Sequence, residues 1–347
     1  MSADSWFEQL FGFPEGAYEE TRRRFRVEGD RLRSLVNDRS FAVGAFEAPT
    51  LAALRERTGV GHPRSDGGVA APGRLRVTHE AVGDALELHA LPENRGALFQ
   101  VASQFNCLEF PDPDTTPEDG VTAYASDPTQ GPACALAAAA ATVWRHAFLP
   151  VGGGTGQTRD RQLDNLAELG AALGAPGEFF RVRNGYTSST SDRLAALADR
   201  LRRADRDELL GRVAVGVQHD VGVTFASRFV EAEPGITVSQ AFCSAVSCAY
   251  SSVPREAWQP LARLVLDATY EATLHLALLN AARAGGSPRV WLTFLGGGVF
   301  GNDPGWIAAA LGRALRLFDG ADLDVRIAHH RRVDEERRAL LDAARAG

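Results

Sequence analysis

Apolar and polar residues alternate over residues 74–79 and again over residues 84–89, with a turn-like Gly83-Asp84 between the two runs, and this pattern predicts a hairpin. Residues 97–102 are more continuously apolar and follow Asn94-Arg95-Gly96, as a buried strand would. Upstream, residues 1 to about 60 read as mostly helical, with residues 17–36 rich in charge and residues 50–58 following Pro49. Three glycines and two prolines in residues 62–73 mark a loop or linker.

Downstream, Gln130-Gly131-Pro132 opens a helical run, unbroken over residues 133–145, with proline in the first turn where a helix tolerates it. Residues 163–173 and 192–210 predict two further helices, and residues 213–217 and 221–225 two short strands. Residues 236–248 fit either strand or loop. Residues 255–283 form a long helix with an apolar face. Residues 289–295 form a buried strand that runs directly into Gly296-Gly297-Gly298-Val299-Phe300-Gly301. A helix then starts at Asp303 or Pro304 and runs to Phe318, followed by a strand over 323–328 and a helix over 334–344. Strand, glycine loop, helix and strand in succession is the grammar of an α/β sheet with parallel strands.

Composition narrows the class. The chain has 347 residues, 45% of them apolar and 23% charged, enough to build a folded core. Net charge is −7 and all 37 cations are Arg, so duplex nucleic acid gains no electrostatic support, although an Arg fork suits a phosphate. The four cysteines, Cys107, Cys134, Cys243 and Cys248, form no CxxC pair and read as reduced and buried. The eight histidines show no metal spacing. The N-terminus has neither a basic n-region nor a long apolar h-region, and the alanine-rich run at 133–143 is too short to cross a bilayer. A cytoplasmic protein is expected, with no membrane partner.

Three segments could carry chemistry. Gly296–Asn302 is a glycine run at the C-terminal end of a buried strand, where backbone N–H groups can approach an anion; no Gly-Lys-Ser/Thr follows, so it is not a Walker loop. The strand ending near Ala102 presents Gln104, Asn106 and Glu109, which can fix a sugar or base by paired donors and acceptors, or cap the next loop. Asp127, Thr129, Gln130 and Gly131 lead into the alanine-rich helix, where Asp127 and Thr129 can serve either as caps or as ligand contacts.

The order of these loops resembles the macro domain superfamily, whose fold binds ADP-ribose. Val101-Ala-Ser-Gln-Phe-Asn106 matches its strand-end motif, with Asn106 in the place of the final Asn. Gln130-Gly-Pro-Ala-Cys134 matches the first loop, and Gly297-Gly-Val-Phe-Gly301 the second. The resemblance covers roughly residues 84–330, with inserted material at 146–212. In many members an Asp that reads adenine lies between two strands that correspond here to those of Leu86 and Leu98, and Glu93 is the only acidic residue in that interval. The related poly(ADP-ribose) glycohydrolases carry paired glutamates after a glycine run, and no Glu-Glu follows either run here.

The resemblance implies a three-layer α/β/α domain with a mixed sheet over residues 74–347 and a helical N-terminal extension over residues 1–73. It implies binding of ADP-ribose or a related nucleotide and removal of ADP-ribose from a target such as an ADP-ribosylated protein, with no cofactor. Asn106 would hold the distal ribose, and Asp127 or Glu109 would act as acid or base, Asp127 being favoured. Gln104, Thr129, Gln130, Gly131, Gly296, Gly297, Gly298, Val299, Phe300, Gly301 and Asn302 would contact the ligand, the 296–302 amides taking the diphosphate. Two alternatives stand beside it: a non-catalytic sensor of a nucleotide metabolite, and an unrelated amide or phosphoester hydrolase on a similar sheet.

Overall fold

The computed structural model describes residues 5–60 and 73–346; all but Gly73 of the expected linker lies outside them. Seven strands form the central sheet: β1 (Ala45–Glu47), β2 (Arg76–Val82), β3 (Leu98–Ala102), β4 (Gly216–Gly222), β5 (Thr237–Cys243), β6 (Arg289–Leu292) and β7 (Asp324–His330), in the spatial order β1-β4-β5-β3-β6-β7-β2. From β5 to β2 every neighbouring pair is parallel. β4 runs antiparallel to β5, and β1 antiparallel to β4. The sheet is therefore mixed, and its five parallel strands place their C-terminal ends along one edge, where ligands of open α/β sheets bind.

Alternation along β3 sends neighbouring residues to opposite faces. Leu98 joins one apolar cluster and Phe99 another. The first cluster packs the sheet against α1 (Leu51–Thr58), α5 (Arg255–Ala281) and α6 (Pro304–Leu317). The second packs it against α2 (Ala85–Ala90), α3 (Gln130–Ala137), α4 (Ala139–Ala147) and the N-terminal helix Ser5–Phe11. Two helical layers around a mixed sheet make the three-layer α/β/α arrangement expected. Among the described residues no helix is long and apolar enough to cross a membrane.

Four local expectations are corrected. Residues 84–89 are not the second arm of a hairpin. β2 joins the sheet beside β7, and Asp84 caps α2 by accepting the Leu86 amide at 2.9 Å. The apolar residues fit helical spacing, Ala85 with Leu88, as well as alternation, Leu86 with Leu88, and the cap decides between them.

The N-terminal segment is not mostly helical. After Tyr18–Arg23 it forms a three-stranded antiparallel meander, Phe25–Glu28, Arg31–Ser34 and Ser40–Ala42, then β1. Trp6, Phe7, Leu10, Phe11 and Phe25 share one core with Ala135–Ala141, so this segment is continuous with the layer behind the sheet.

The alanine-rich helix breaks at Ala138, where Thr224 intrudes. Its amide and hydroxyl donate to the Ala137 carbonyl, at 2.7 and 3.0 Å, and the hydroxyl accepts the Ala139 amide at 2.8 Å. The helix expected over 192–210 is likewise two, Ser191–Arg203 and Arg206–Gly211, the second capped by Asp205. The ambiguous stretch at 236–248 contains strand β5.

Candidate functional site

At the C-terminal edge the sheet opens. β3 and β6 share only two registered pairs, Leu98–Val290 and Phe99–Trp291. Beyond them the Thr293 amide turns to the Gln100 side chain at 3.1 Å. Gln130 fills the gap on β3: its Oε1 accepts the Ala102 amide and its Nε2 donates to the Gln100 carbonyl, both at 2.8 Å. The diverging strands frame a cleft of about 440 Å³ between the first turn of α3, the segment after β3 and the glycine loop after β6.

The cleft gathers the three segments expected from the sequence. Glu109, Asp127, Thr129, Gln130, Gly131, Gly296, Gly298, Val299 and Phe300 all line it. Gly131 lets α3 approach β3, because a Cβ there would run into the Ala102 carbonyl. Gly296 has φ of 72°, a left-handed conformation that turns the chain away from β6. The amides of Gly298, Val299 and Phe300 donate to no acceptor among the described residues, so three successive N–H groups remain unpartnered on the cleft wall.

Other expected ligand residues are spent elsewhere. Asn106 does not line the cleft: it is fully buried, donates to Gln162 at 2.8 Å and accepts the Leu108 amide at 3.1 Å. The distal-ribose role expected for Asn106 is therefore corrected; it braces the inserted segment. Gln104 lines the cleft, but both ends of its amide bond the Phe110 backbone, at 2.9 and 3.0 Å. Asn302 donates to the Val246 carbonyl at 2.8 Å and staples the glycine loop from behind, and Gly297 and Gly301 lie off the cleft surface. Gln130 reaches the cleft edge with its amide committed to β3. Asp127 is half-buried, and its Oδ1 accepts the Thr129 amide at 2.8 Å, the geometry of an Asx turn leading into the helix.

Glu109 is the buried carboxyl of the cleft. A tight turn with Cys107 at φ 60° reverses the chain and sends Glu109 back toward α4. Its amide donates to the Tyr124 hydroxyl at 2.8 Å, and Arg145 Nη2 reaches both of its oxygens, at 3.1 and 3.3 Å. Burial raises the Glu109 carboxyl to about 7, against the lowering effects of Arg145 and the Tyr124 hydroxyl. A carboxyl poised near neutrality suits proton transfer, and the Glu109 side chain lies fully buried behind the cleft wall.

Several residues of the site escaped the sequence. Arg145 had one signal, a cation inside an apolar helical run. Tyr186 comes from the inserted segment, and with Tyr250 and Phe300 it forms an aromatic wall, ring centroids 4.9 to 5.8 Å apart. Among the described residues Arg337 of the C-terminal helix α7 (Glu335–Ala346) is the one cation on the cleft lining. A second hollow of about 430 Å³ adjoins the cleft, shares Asp127, Gln130 and Thr293 with it, and contains Gly83, Asp84 and Leu86. Glu93 is exposed in the turn after α2 and lines neither hollow. Among the described residues no group of three or more His, Cys, Asp or Glu side chains could hold a metal ion.

The thiols near the cleft are inert by the same physics. Burial pushes Cys107 up to about 12 and Cys134 well above its ordinary value. All four cysteines are expected to resist a thiol-specific disulfide reagent in the native protein and to react on unfolding. Cys107→Ser is expected to keep any turnover within about threefold of the parent. Complete loss in a folded Cys107→Ser variant would require a covalent mechanism.

No family model matches the chain. No curated protein matches it in sequence. Several solved structures are similar to it. One is the poly(ADP-ribose) glycohydrolase of Deinococcus radiodurans in complex with ADP-ribose, 12% identical, covering 87% of this chain and 92% of that chain, with a TM-score of 0.44. Another is the poly(ADP-ribose) glycohydrolase of Thermomonospora curvata, 17% identical over 99% of this chain and 97% of that chain, TM-score 0.43. The Thermomonospora curvata glycohydrolase bound to the inhibitor ADP-HPD is 15% identical over 98% and 97%, TM-score 0.41.

Proposed function

We propose that the cleft binds ADP-ribose or a closely related NAD-derived nucleotide and that the chain hydrolyses an ADP-ribosyl linkage there, as a divergent member of the macro domain superfamily. The observation that carries this reading is the run of unpartnered amides at Gly298, Val299 and Phe300 in a loop that lines the same cleft as the first turn of α3. Backbone N–H groups and a helix N-terminus in one cleft suit a diphosphate. Arg337 adds a cation to the same surface.

The adenosine half is assigned to the adjoining hollow, with Asp84 as the carboxylate that reads the base. Asp84 Oδ1 accepts the Leu86 amide, and among the described residues no protein group donates to Oδ2. The distal ribose is assigned to the neighbourhood of Glu109 and the Tyr186–Tyr250–Phe300 wall. There Glu109 is assigned to take a proton from water as the water oxygen bonds to the anomeric carbon; the bond from that carbon to the leaving group breaks with its electron pair passing to the leaving group, which departs as the anion and takes a proton from solvent. Phe110, Tyr186 and Phe300 are buried and limit solvent around that carbon.

One observation favours a second reading, a non-catalytic sensor: the side chain expected to hold the distal ribose, Asn106, is turned away. The two readings share ligand and cleft and part at turnover. Thermal denaturation with about 1 mM ligand tests what they share. ADP-ribose is expected to raise the Tm more than AMP does, because AMP cannot span base hollow and amide loop together. An unchanged Tm with ADP-ribose, alongside a rise with another nucleotide, overturns the ligand assignment. Release of ADP-ribose from a modified protein then separates enzyme from sensor.

A further inference from the structure

We infer that the hollow beside the cleft takes an adenosine whose ribose carries a phosphate monoester, and that Arg228 and Arg331 hold that phosphate. The inference deepens the proposed function: it rests on the assignment of the adenosine half to this hollow and names the class of nucleotide the site prefers.

Two turns far apart in the sequence bring these cations to one hollow, which both arginines line. Arg331 follows β7, whose last residue, His330, registers with Val82 at the end of β2. The Arg331 amide donates to the Val82 carbonyl at 2.7 Å, which holds the residue beside the Gly83-Asp84 turn. Arg228 and Phe229 form the tip of a short hairpin, Phe225–Ser227 with Val230–Glu231, in which Ser227 registers with Val230. The hairpin is fixed at its base. Thr224 is bonded into the break of the alanine-rich helix, Phe225 shares a core with Leu86 of α2, and Arg39 pairs with Glu231.

Neither arginine is used by the protein. Arg326 on β7 pairs with Asp324 at 3.0 Å, and Arg337 on α7 with Asp334 at 3.3 Å. Among the described residues no protein group accepts from the Arg228 or Arg331 guanidinium, although Asp84 and Asp127 line the same hollow. Those two carboxylates are half-buried, and each accepts a backbone amide, that of Leu86 at 2.9 Å and that of Thr129 at 2.8 Å. Both arginines are exposed. The hollow is thus acidic within and basic at its mouth.

The anion that suits this mouth is not the diphosphate, since neither arginine lines the cleft that carries the glycine loop. The adenosine of ADP-ribose offers the hollow a base and ribose hydroxyls, all uncharged. A phosphate monoester on one of those hydroxyls supplies an anion with three terminal oxygens, matched to the planar forks of two guanidinium groups. Dinucleotide sites draw the same distinction: a carboxylate meets the free ribose hydroxyl, and an arginine the 2′-phosphate.

The test is calorimetry on the full chain with AMP, adenosine 2′,5′-bisphosphate, adenosine 3′,5′-bisphosphate and ADP-ribose. One bisphosphate is expected to bind about tenfold tighter than AMP, with the advantage shrinking as salt is raised. The 2′ isomer identifies an NADP-derived nucleotide, and the 3′ isomer a nucleotide phosphorylated as in coenzyme A. In the double variant Arg228→Ala, Arg331→Ala the advantage is expected to fall to about twofold or less. Arg332→Ala, exposed one residue on and off the hollow, is expected to keep it. If the double variant does not fold, Arg228→Ala alone, at the hairpin tip, carries the same comparison. Bisphosphates that bind no tighter than AMP overturn the inference, as does an advantage that survives the loss of the arginines or disappears equally in Arg332→Ala. ADP-ribose that binds with no bisphosphate advantage leaves the proposed function standing and overturns this inference alone. An arginine-dependent advantage without ADP-ribose binding upholds the phosphate site and overturns the ADP-ribose reading instead.

Discussion

Replacing Glu109 by Gln is expected to lower ADP-ribose release about a thousandfold while leaving affinity for free ADP-ribose within about threefold, the signature of a lost proton acceptor. Gln has the shape of Glu and its Oε1 still accepts from Arg145 Nη2, so the cleft keeps its form. The competing carboxylate gives the contrast. Asp127 holds the Thr129 amide in an Asx turn that Asn reproduces, so Asp127→Asn is expected to retain turnover within about tenfold. The opposite ranking would return the base role to Asp127.

The pH dependence has a definite sign. Glu109 titrates near 7 in the folded protein, above its ordinary value of 4.5. A base must be ionised, so kcat is expected to rise with pH through about 7. Stability runs the other way. Between the two values the folded chain holds a proton that the unfolded chain has released, so this group's contribution is greatest at low pH and is lost as pH rises toward 7. Glu109→Gln is expected to flatten that part of the Tm profile, and a profile identical to the parent's would show that Glu109 does not titrate there.

Gly298→Glu is expected to weaken ADP-ribose binding by a hundredfold or more without unfolding the protein. A Cβ at Gly298 meets nothing within 4 Å and the backbone φ is not left-handed there, so the fold can accept a side chain. The new carboxylate would stand beside the unpartnered amides where the diphosphate is assigned. Two like charges about 5 Å apart near a protein surface repel by about 3 kcal/mol, enough for a loss of that size. Gly298→Ala carries bulk without charge and is expected to bind within about fivefold of the parent. Calorimetry on the three proteins decides the matter, and parent-like binding by Gly298→Glu would remove the glycine loop from the ligand site.

What the sequence showed and what it hid follow from the range of the interactions involved. The strand at β6, the glycine loop and the Asp303 cap of α6 were legible because pattern, turn and cap lie within a few residues of one another. The break at Ala138 was not, because the threonine that makes it lies 87 residues from the carbonyl it binds. The hairpin error at residues 84–89 came from a run whose apolar positions fit two periods at once. The amides Gln104 and Asn106 were noticed for their chemistry, but their partners, Phe110 and Gln162, decide that they brace loops. Arg145 was visible only as a charge out of place on an apolar helix, and its meaning lies in the carbonyl, amide, ring and carboxylate that meet it from three other parts of the chain.

Gln130 also sets a rule for what this chain can become. By taking one N–H and one C=O of β3, its side chain stands in for a missing stretch of neighbouring strand at the point where the sheet parts. The Gln carboxamide offers donor and acceptor side by side at this reach: Glu would turn an anion toward the Gln100 carbonyl, Met would leave both backbone groups unmet, and Asn is one methylene short. The position is thus constrained as tightly as a catalytic one while its functional group is turned to the sheet. In a collection of descendants of this protein, an unchanging glutamine at the rim of the cleft would record how the cleft is kept open, and would say nothing of what enters it.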